Sequence, residues 1–328
     1  MTSLKPFHTF ATDAHCVRLF TIYSTQDLYK YLADNKANFM ILGGGSNVLF
    51  SDDFNGDVLL NRIKGIEVVD EDDNALLVSL GSGEIWHNFV MWSVGHGLWG
   101  VENLALIPGT VGAAPMQNIG AYGVEQDKTF HSLEAIDLEE GTRRVFYKEE
   151  CGFGYRDSYF KKEGKQKYFI TKVSYLLSKQ PDPVLGYADV AKRLEGKKIT
   201  PKAIAGEIID IRSQKLPDPD KIGNAGSFFK NPVVEKNIAD KLKVDYPTLP
   251  SYPAGNHVKI AAGWLIEQCG FKGEVKGNTG TYVNQALVLV NHGQASGNEI
   301  YQYAASISEA VKEKFGIDLE MEVNIIRN

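Results

Sequence analysis

The chain has 328 residues, of which 43% are hydrophobic and 23% charged, and it carries a formal net charge of −6 at pH 7. This composition is typical of a soluble globular protein, and the length predicts about two or three domains. The negative net charge argues against nonspecific binding to nucleic acid, because that affinity comes from neutralising phosphates. A local cluster of cationic side chains would still suit a small anionic ligand.

The sequence lacks the common signals for membranes and metals. No apolar run reaches the length of a membrane span, and the N-terminal stretch MTSLKPFHTFATDAHCV has neither the basic start nor the apolar core of a secretion signal. We therefore expect a cytoplasmic protein without a membrane partner. Cys16, Cys151 and Cys269 form no CxxC pair, and the seven histidines form no HExxH motif. The sequence thus predicts neither a disulfide framework nor a metal site.

The first third of the chain has an α/β pattern. Residues 28–39 have the pattern of a helix, and residues 40–50 and 75–83 each contain an apolar strand next to a glycine-rich turn. Neither turn has the dinucleotide fingerprint, since Val48 and Trp86 occupy the positions of the third glycine. A Rossmann domain is therefore disfavoured.

Residues 100–123, GVENLALIPGTVGAAPMQNIGAYG, contain five glycines and two prolines among small side chains. Such a segment cannot form a long helix, yet it is too apolar for a disordered linker. It is either a buried, turn-rich part of the core or backbone folded around a large flat ligand, with successive N–H groups binding a diphosphate. The residues alone leave both interpretations open.

The middle of the chain predicts strands followed by a helix. Residues 132–148 have the pattern of a hairpin, and residues 167–177 alternate as a strand does. A helix is predicted to begin after the capping Thr200 and to end before Pro217, with one stripe of isoleucines. That helix would place Arg212 at its end and away from the stripe, where a single arginine is usually only solvated.

The C-terminal part predicts two helices and a strand. Residues 259–270 and 298–316 each end at a glycine, as helices do. Residues 318–326 alternate, which predicts a strand with Glu320 and Glu322 on one face. Carboxylates on such a face are usually solvated unless a specific partner is present.

The stretch GNAGSFFKNP, residues 223–232, places Ser227 between glycines and phenylalanines, just upstream of a lysine and an asparagine. A hydrolase nucleophile elbow requires a glycine two residues on each side of the serine. Ala225 and Phe229 occupy those positions. Ser227 therefore has either another function or none.

Six segments together resemble one family. The segments are ILGGGSNVLF, ENLALIPGTVGAAPMQNIGAYG, CGFGYRDSYFK, KLPDPDKIGNAGSFFKNP, GNTGTYVNQALVLVN and LEMEVNII. In this order they resemble the FAD-dependent UDP-N-acetylenolpyruvoylglucosamine reductases, which make UDP-N-acetylmuramate for peptidoglycan. The resemblance extends from LKPFHTFAT nearly to the end of the chain and includes the form of the enzyme that has a tyrosine-bearing loop over the substrate.

The resemblance implies an α/β (α+β) fold with a two-part FAD-binding region of the PCMH-like type and a separate substrate domain. Its implied boundaries are residues 1–67 for the first FAD subdomain, joined by about residues 324–328, then 68–213 for the second and 214–323 for the substrate domain. The protein would be a monomer. Its ligands would be small molecules, namely non-covalent FAD, NADPH and the enolpyruvyl sugar nucleotide.

The resemblance also implies a chemistry. NADPH would reduce FAD and leave, and flavin N5 would then deliver hydride to the vinyl carbon of the bound enolpyruvyl nucleotide. Ser227 matches the family's proton donor to the neighbouring carbon, which would explain why it needs no elbow. Arg156 matches a catalytic arginine suited to a carboxylate that gains charge. Glu322 matches a catalytic glutamate, and we expect its pKa to be raised in the substrate complex, because only a protonated carboxyl helps there.

Further residues are implied to bind ligands. The nucleotide and its carboxylate would be bound by Tyr187, Arg212, Lys215, Asn231 and Gln285. The residues implied to bind FAD are Gly43, Gly44, Gly45, Ser46, Asn47, Pro108, Gly109, Gly112, Ala113, Gln117, Asn118, Ile119, Gly120, Ala121 and Tyr122. The sequence departs from the family at Asn324, where other members have an arginine, so an ionic contact expected there is in question.

Two other functions compete with this interpretation. A flavin oxidase of the same broad fold often binds its cofactor covalently through His or Cys, and His87 and His96 lie near the glycine-rich segments without being in them. Acid denaturation would distinguish the two, since non-covalent FAD is released. A protein that binds nucleotide sugars without flavin would be colourless.

Overall fold

The computed structural model describes residues 1–34 and 37–327. Its backbone contacts divide the chain into two compact units. Unit 1 comprises residues 1–16, 45–55 and 213–328, and unit 2 comprises residues 17–44 and 56–212. The three-part division predicted from the sequence stays a prediction.

The α-helices and β-strands alternate irregularly along the chain. The helices are α1 (Thr25–Asp34), α2 (Trp86–Gly95), α3 (Ala188–Leu194), α4 (Pro201–Lys215), α5 (Lys236–Asp245), α6 (Ala262–Gln268) and α7 (Gly297–Phe315). The strands are β1 (Thr2–Ser3), β2 (His15–Ile22), β3 (Phe39–Leu42), β4 (Val48–Phe50), β5 (Phe54–Asn61), β6 (Ile66–Glu71), β7 (Ala75–Gly81), β8 (Gly120–Ala121), β9 (Val124–Glu125), β10 (Phe130–Asp137), β11 (Arg143–Tyr147), β12 (Tyr168–Ser178), β13 (Gly223–Ser227), β14 (Val233–Glu235), β15 (Ser251–Ala254), β16 (His257–Ile260), β17 (Val275–Lys276), β18 (Thr279–Tyr282), β19 (Gln285–Asn291) and β20 (Asn324–Ile326).

Unit 2 is built on a five-stranded sheet in the order β11-β10-β12-β7-β6. Every pair in this sheet is antiparallel, including the predicted hairpin β10–β11 with Ile136 opposite Arg143. Its core includes Trp86 and Tyr175 together with the isoleucine stripe of α4. Helix α4 begins as predicted, because the Thr200 hydroxyl accepts from the Ala203 N–H at 3.1 Å.

Unit 1 contains a four-stranded antiparallel sheet, β13-β19-β18-β17, and a three-stranded one, β14-β16-β15. The C-terminal strand β20 pairs in parallel with β4, with Asn324 opposite Val48. In the core of unit 1, Phe228 and Phe229 are fully buried together with the apolar face of α7. Helix α7 ends as predicted at Gly316, which has a left-handed φ of 66°.

Antiparallel pairs predominate, with β3–β5 and β4–β20 as parallel pairs, and this mixture confirms the predicted α+β class. A Rossmann domain would need a mostly parallel sheet with helical crossovers.

Three predicted elements differ at their ends. The helix predicted over residues 28–39 is α1, which ends at Asp34; residues 35 and 36 lie outside the described residues, and Phe39 already begins β3. The helix predicted over residues 259–270 begins only at Ala262, because residues 257–260 pair in the sheet as β16.

The strand predicted over residues 318–326 was wrong in length. Only residues 324–326 form a strand, and before them Met321 makes a single bridge to Phe229. Two flanking hydrogen bonds, Lys230 N–H to the Glu320 carbonyl and Glu322 N–H to the Phe228 carbonyl, complete this short pairing. Glu322 is consequently half-buried beside residue 228 rather than solvated on a strand face.

Candidate active site

The glycine turn at residues 43–47 approaches neighbouring segments very closely. A Cβ at Gly43 would lie 2.6 Å from the Thr110 hydroxyl, and one at Gly44 would lie 2.8 Å from Gly109 Cα. Gly45 has a φ of 65°, and a Cβ there would collide with the Phe7 carbonyl. These positions therefore require glycine for two reasons, close approach and left-handed backbone.

The same turn has unused hydrogen-bond donors. Its carbonyl at Gly45 accepts from the Thr9 N–H at 3.0 Å, but within residues 1–34 and 37–327 no protein acceptor pairs with the N–H groups of Gly44, Gly45 or Ser46. Successive unpaired N–H groups are suited to an anionic group such as a diphosphate. The turn therefore fits the FAD predicted from the sequence.

The segment from Pro108 to Tyr122 is a chain of short 3-10 turns, including Val111–Ala113 and Pro115–Gln117. Much of it is buried, which supports the interpretation of a turn-rich core segment without excluding a ligand on its other side. Among the other predicted cofactor residues here, Pro108 is exposed and Gly112 is buried. The remaining ones are half-buried, namely Ala113, Gln117, Ile119 and Ala121.

Asn118 stabilises this segment. Its backbone is left-handed (φ 42°), and its side chain donates to Glu125 and to the Gly154 carbonyl while accepting from Gln126 and from the Asp127 N–H. Both the nitrogen and the oxygen of the Asn118 side-chain amide thus bond to other protein groups. A cofactor contact by Asn118 would have to use its backbone.

Unit 2 brings together four of the predicted ligand-binding and catalytic residues. The Tyr122 side chain lies close enough to the Arg212 guanidinium to raise its pKa, and Arg156 is close enough for its charge to lower it. The rings of Tyr122 and Tyr187 meet edge to face with centroids 4.9 Å apart. Arg156 itself donates to the Gly120 carbonyl at 2.7 Å. The result is a cationic cluster with two tyrosines beside it.

Electrostatics make this cluster costly without a ligand. Burial lowers the pKa of Arg212, the charge of Arg156 lowers it further, and Tyr122 opposes both effects. The buried Arg212 Nε has no hydrogen-bond partner within the described residues. Arg156 also has a left-handed backbone, with φ 54°, which costs about 1 kcal/mol or more for a non-glycine residue. An anion would offset the repulsion between the two guanidinium groups.

His87 belongs to the same surroundings and was not assigned a role from the sequence. Its Nδ1 accepts from the Leu106 N–H at 3.0 Å, which requires a neutral ring. Burial and then the charge of Arg212 lower the pKa of His87, consistent with that state. No local pattern signals this residue, since the contact depends on Leu106, 19 residues away, adopting a left-handed φ of 60°.

Ser227 ends strand β13 after a bulge. Asn224 lies opposite Val290 and Ser227 opposite Val288, so β13 has one residue more than β19 between the two pairs. Gly226 has a φ of 68°, and its N–H donates to the Asn224 side chain at 3.0 Å. A bulge of this kind redirects the following side chain, here the predicted proton donor.

Glu322 is held next to Ser227 by backbone pairing within unit 1. Its N–H donates to the Phe228 carbonyl at 2.8 Å, one residue beyond Ser227. The side chain of Asn47 donates to the Glu322 carbonyl at 3.3 Å, and the Asn324 amide donates to the Asn47 carbonyl at 3.0 Å. Asn324 thus makes a neutral hydrogen bond at the position where the resemblance implied an arginine.

The other predicted substrate residues lie around the start of α6 and at the end of α4. Asn231 accepts from the Ala262 N–H at 2.9 Å, so its amide oxygen caps α6. The Gln285 oxygen would lie 2.9 Å from a Cβ on Gly263. Lys215 is the half-buried last residue of α4. The amide nitrogens of Asn231 and Gln285 make no hydrogen bond within the described residues, which leaves these donors for a ligand.

Within the part of the chain that the structure describes, no three His, Cys, Asp or Glu side chains form a group that could bind a metal. Nor does any described helix have both the length and the apolarity to cross a bilayer.

Comparisons with known proteins agree with this geometry. Residues 14–146 match a family described as an FAD binding domain, and residues 218–326 match one described as the C-terminal domain of UDP-N-acetylenolpyruvoylglucosamine reductase. The fold and the glycine turn therefore define a flavin-dependent oxidoreductase that binds FAD.

Similar proteins extend over most of the chain. A UDP-N-acetylenolpyruvoylglucosamine reductase from Burkholderia ambifaria is 50% identical over 289 residues, which cover 86% of this chain and 83% of the relative. One from Paraburkholderia phymatum is 47% identical and covers 97% of this chain and 95% of its own length. The chain belongs to the UDP-N-acetylenolpyruvoylglucosamine reductase family.

A solved structure confirms the fold independently. The crystal structure of the reductase from Thermus caldophilus matches with a TM-score of 0.67 at 24% identity, covering 99% of this chain and 98% of that one. The family, the fold class, the enzyme class and the FAD cofactor predicted from the sequence are thus confirmed.

Proposed function

We propose that this protein reduces UDP-N-acetylglucosamine enolpyruvate to UDP-N-acetylmuramate, a peptidoglycan precursor, with NADPH as the electron source. The observation that carries the proposal beyond family membership is the cluster of Arg156, Arg212, Tyr122 and Tyr187 in unit 2. Two repelling guanidinium groups beside tyrosines suit a ligand that is anionic and carries a planar carboxylate.

FAD would be bound by the glycine turn at residues 43–47 and by the backbone of residues 108–122. When bound, FAD supplies the redox chemistry by accepting hydride from NADPH and giving it to the substrate. The contribution of the turn is a row of N–H donors for the diphosphate, because Gly44, Gly45 and Ser46 have unpaired N–H groups within the described residues.

Arg156 stabilises the substrate carboxylate as negative charge builds on it and on the adjacent carbon. The guanidinium is already oriented by its hydrogen bond to the Gly120 carbonyl, so little reorganisation is needed when the charge develops. Arg212 and Tyr187 bind the nucleotide in the ground state, with Lys215, Asn231 and Gln285 as further contacts.

Ser227 donates its hydroxyl proton to the carbon next to the carboxylate. The bulge at Gly226 and the pairing of residue 228 with Glu322 position this hydroxyl through backbone contacts. Glu322, in its protonated form, donates a hydrogen bond to the developing anion, a role for which an amide could partly substitute.

The test is an anaerobic titration of the purified flavoprotein. NADPH should bleach the yellow colour, and the enolpyruvyl nucleotide should then restore it. Protein that bleaches and stays bleached is a flavin reductase with another acceptor, and the roles of Ser227, Arg156 and Glu322 would be withdrawn. Acid denaturation should release free FAD; retention of flavin on the chain would instead support an oxidase with covalent cofactor.

Two variants separate the half-reactions. Ser227→Ala should leave bleaching by NADPH unchanged and slow the recovery of colour, because only the second half-reaction consumes the proton. Ser213→Ala, at an exposed serine on α4, is the matched control and should change neither phase. Equal slowing of both phases in Ser227→Ala would exclude the proton-donor role.

Glu322 is tested by comparing two substitutions in the second phase. Glu322→Gln should retain more activity than Glu322→Ala if the carboxyl acts as a neutral donor. Equal loss in both variants would refute that role. The NADPH requirement, the monomeric state and the cytoplasmic location stay predictions of the sequence.

A further inference from the structure

Asn103 joins two segments of unit 2 that are far apart in sequence. Its side chain is 1% exposed, and its Nδ2 donates to the carbonyls of Tyr122 and Val184, each at 3.0 Å. The orientation of the amide is dictated by this pairing, because a flipped amide would place its oxygen against two carbonyl oxygens. One buried NH2 group therefore satisfies two main-chain acceptors.

The two joined segments each present a ring of the cationic cluster. Tyr122 carries the carbonyl that Asn103 binds, and its side chain lies close enough to Arg212 to raise the pKa of the guanidinium. Val184 lies three residues before Tyr187, whose ring meets that of Tyr122 at 4.9 Å. Asn103 thus binds the Tyr122 residue itself on one segment and a carbonyl three residues before Tyr187 on the other.

The segment before Tyr187 is attached at its start, where the Lys179 N–H donates to the Asn74 carbonyl at 2.8 Å, and Val184 and Leu185 pack against the core of unit 2. Residues 179–187 lie between the end of β12 and the start of α3 and form no helix or strand. Closer to Tyr187, a further polar attachment is the ion pair of Lys128 Nζ with Asp182 Oδ2 at 2.7 Å, which joins side chains that are 39% and 61% exposed. An exposed pair of this kind holds a segment weakly. The buried amide of Asn103 is the stronger restraint.

We propose that Asn103 is a positioning residue that fixes Tyr187 against Tyr122 beside Arg212, and so sets the affinity for the anionic nucleotide ligand. The inference rests on the proposed function, in which Tyr187 and Arg212 bind the enolpyruvyl nucleotide. Asn103 does not touch that ligand. It acts by keeping two carbonyls paired, so that the 179–187 segment does not exchange between conformations that remove the tyrosine from the cluster.

The experiment compares four proteins as FAD holoenzymes: the unaltered chain, Asn103→Ala, Tyr187→Leu and the double variant. Binding of UDP-N-acetylglucosamine enolpyruvate to the oxidised enzyme, followed by flavin absorbance without NADPH, requires no turnover. In the background that keeps Tyr187, Asn103→Ala should weaken binding about tenfold, which is the scale of one buried hydrogen bond. In the Tyr187→Leu background it should change binding less than about twofold, because the ring it positions is gone.

A purely structural role predicts something else. If Asn103 only stabilised the unit, Asn103→Ala would weaken binding by the same factor in both backgrounds, and that result would overturn the proposal. Lys128→Met removes the exposed attachment of the same segment and is the matched control, with less than about a twofold change expected.

Backbone hydrogen exchange provides a readout that is independent of the proposed substrate. Residues 179–187 should exchange faster in Asn103→Ala than in the unaltered chain or in Lys128→Met. Unchanged exchange there would refute the restraint. Faster exchange in a chain that does not bind the nucleotide would instead leave the restraint standing and refute the proposed function. If Asn103→Ala loses its flavin, Asn103→Ser, which retains one donor, replaces it. Its binding loss must again be larger in the chain that keeps Tyr187 than in the Tyr187→Leu background.

Discussion

The two units differ in how they bury a basic side chain: one keeps it charged and the other keeps it neutral. In unit 2, Arg212 stays charged next to Arg156, with a buried Nε that has no partner among the described residues. In unit 1, His8 is 4% exposed and burial lowers its pKa to about 4, so that the ring is neutral at physiological pH. The Nε2 of that ring lies 3.2 Å from the Thr12 carbonyl, to which it donates.

The chemistry of the two side chains explains the difference. An arginine cannot release its proton in a protein, so the cost of burying its charge persists until an anion arrives. A histidine avoids the cost by deprotonating. Unit 2 therefore stores electrostatic free energy that binding of an anion can release, whereas unit 1 contributes Ser227 and Glu322, which are positioned by backbone pairing.

The largest expected effect concerns the charge in unit 2. Arg156→Gln should slow the reoxidation of reduced flavin by the enolpyruvyl nucleotide about 100- to 1,000-fold, the usual cost of removing one donor to a developing anion. Reduction of the flavin by NADPH should be much less affected. Stopped-flow absorbance measures both phases.

A second arginine substitution distinguishes the effect of removing the Arg156 charge from the effect of removing any positive charge in unit 2. Arg144 lies in the same unit, paired on the surface with Glu150 at 3.1 Å. Arg144→Gln should leave both phases within about twofold. A comparable loss in the two variants would mean that the net charge of unit 2, and not the placement of Arg156, governs the reaction.

The next effect tests the neutral histidine of unit 1. Because the pKa of His8 is lower in the folded chain than its ordinary 6.5, the unfolded chain takes up the proton first as the pH falls. The contribution of the neutral His8 ring to the unfolding free energy is complete above about pH 6.5 and is lost as the pH approaches 4. A shift of this size corresponds to about 3 kcal/mol of unfolding free energy.

His8→Phe removes the titrating group and retains a ring against Phe50, whose centroid lies 5.1 Å from that of His8. Urea unfolding at pH 7.5, 6.5, 5.5 and 4.5 should show the unaltered protein losing more stability than the variant as the pH falls. Parallel pH profiles for the two proteins would show that His8 does not govern the acid sensitivity of unit 1.

The sequence was sufficient where local chemistry determines structure. Thr200 and Gly316 marked helix ends correctly, and the glycine turn at residues 43–47 is required by close approach. The motif order identified the family. The pattern failed where distant pairing determines the structure. Alternation at residues 318–326 predicted a long strand, but among the described residues this stretch has ladder pairing only at the Met321 bridge and along β20.

Side-chain contacts over long sequence distances were likewise invisible in the sequence. Asn103 bonds to a residue 81 positions away, and His87 to one 19 positions away. Neither spacing repeats with a helical or strand period, so no pattern could reveal these contacts. The cationic cluster was anticipated only because separate motifs matched those of one family.

The smallest effect tests whether unit 1 positions its serine through the backbone. Gly226 has a φ of 68°, and a Cβ there would meet no atom within 4 Å. Gly226→Ala therefore adds conformational strain without a collision, about 1–2 kcal/mol of unfolding free energy. Relief of that strain would flatten the bulge and misdirect Ser227, so colour recovery should slow while bleaching by NADPH stays unchanged.

Gly206→Ala in α4 is the matched control, since Gly206 is also open to a Cβ but has no left-handed backbone. There the same substitution should stabilise the chain by about 0.5–1 kcal/mol through helix propensity. Opposite signs in urea unfolding, with slowed recovery only in Gly226→Ala, would establish that backbone conformation directs the serine. If both variants gain stability and recover colour normally, the bulge does not position Ser227, and packing of Phe228 and Phe229 becomes the better explanation.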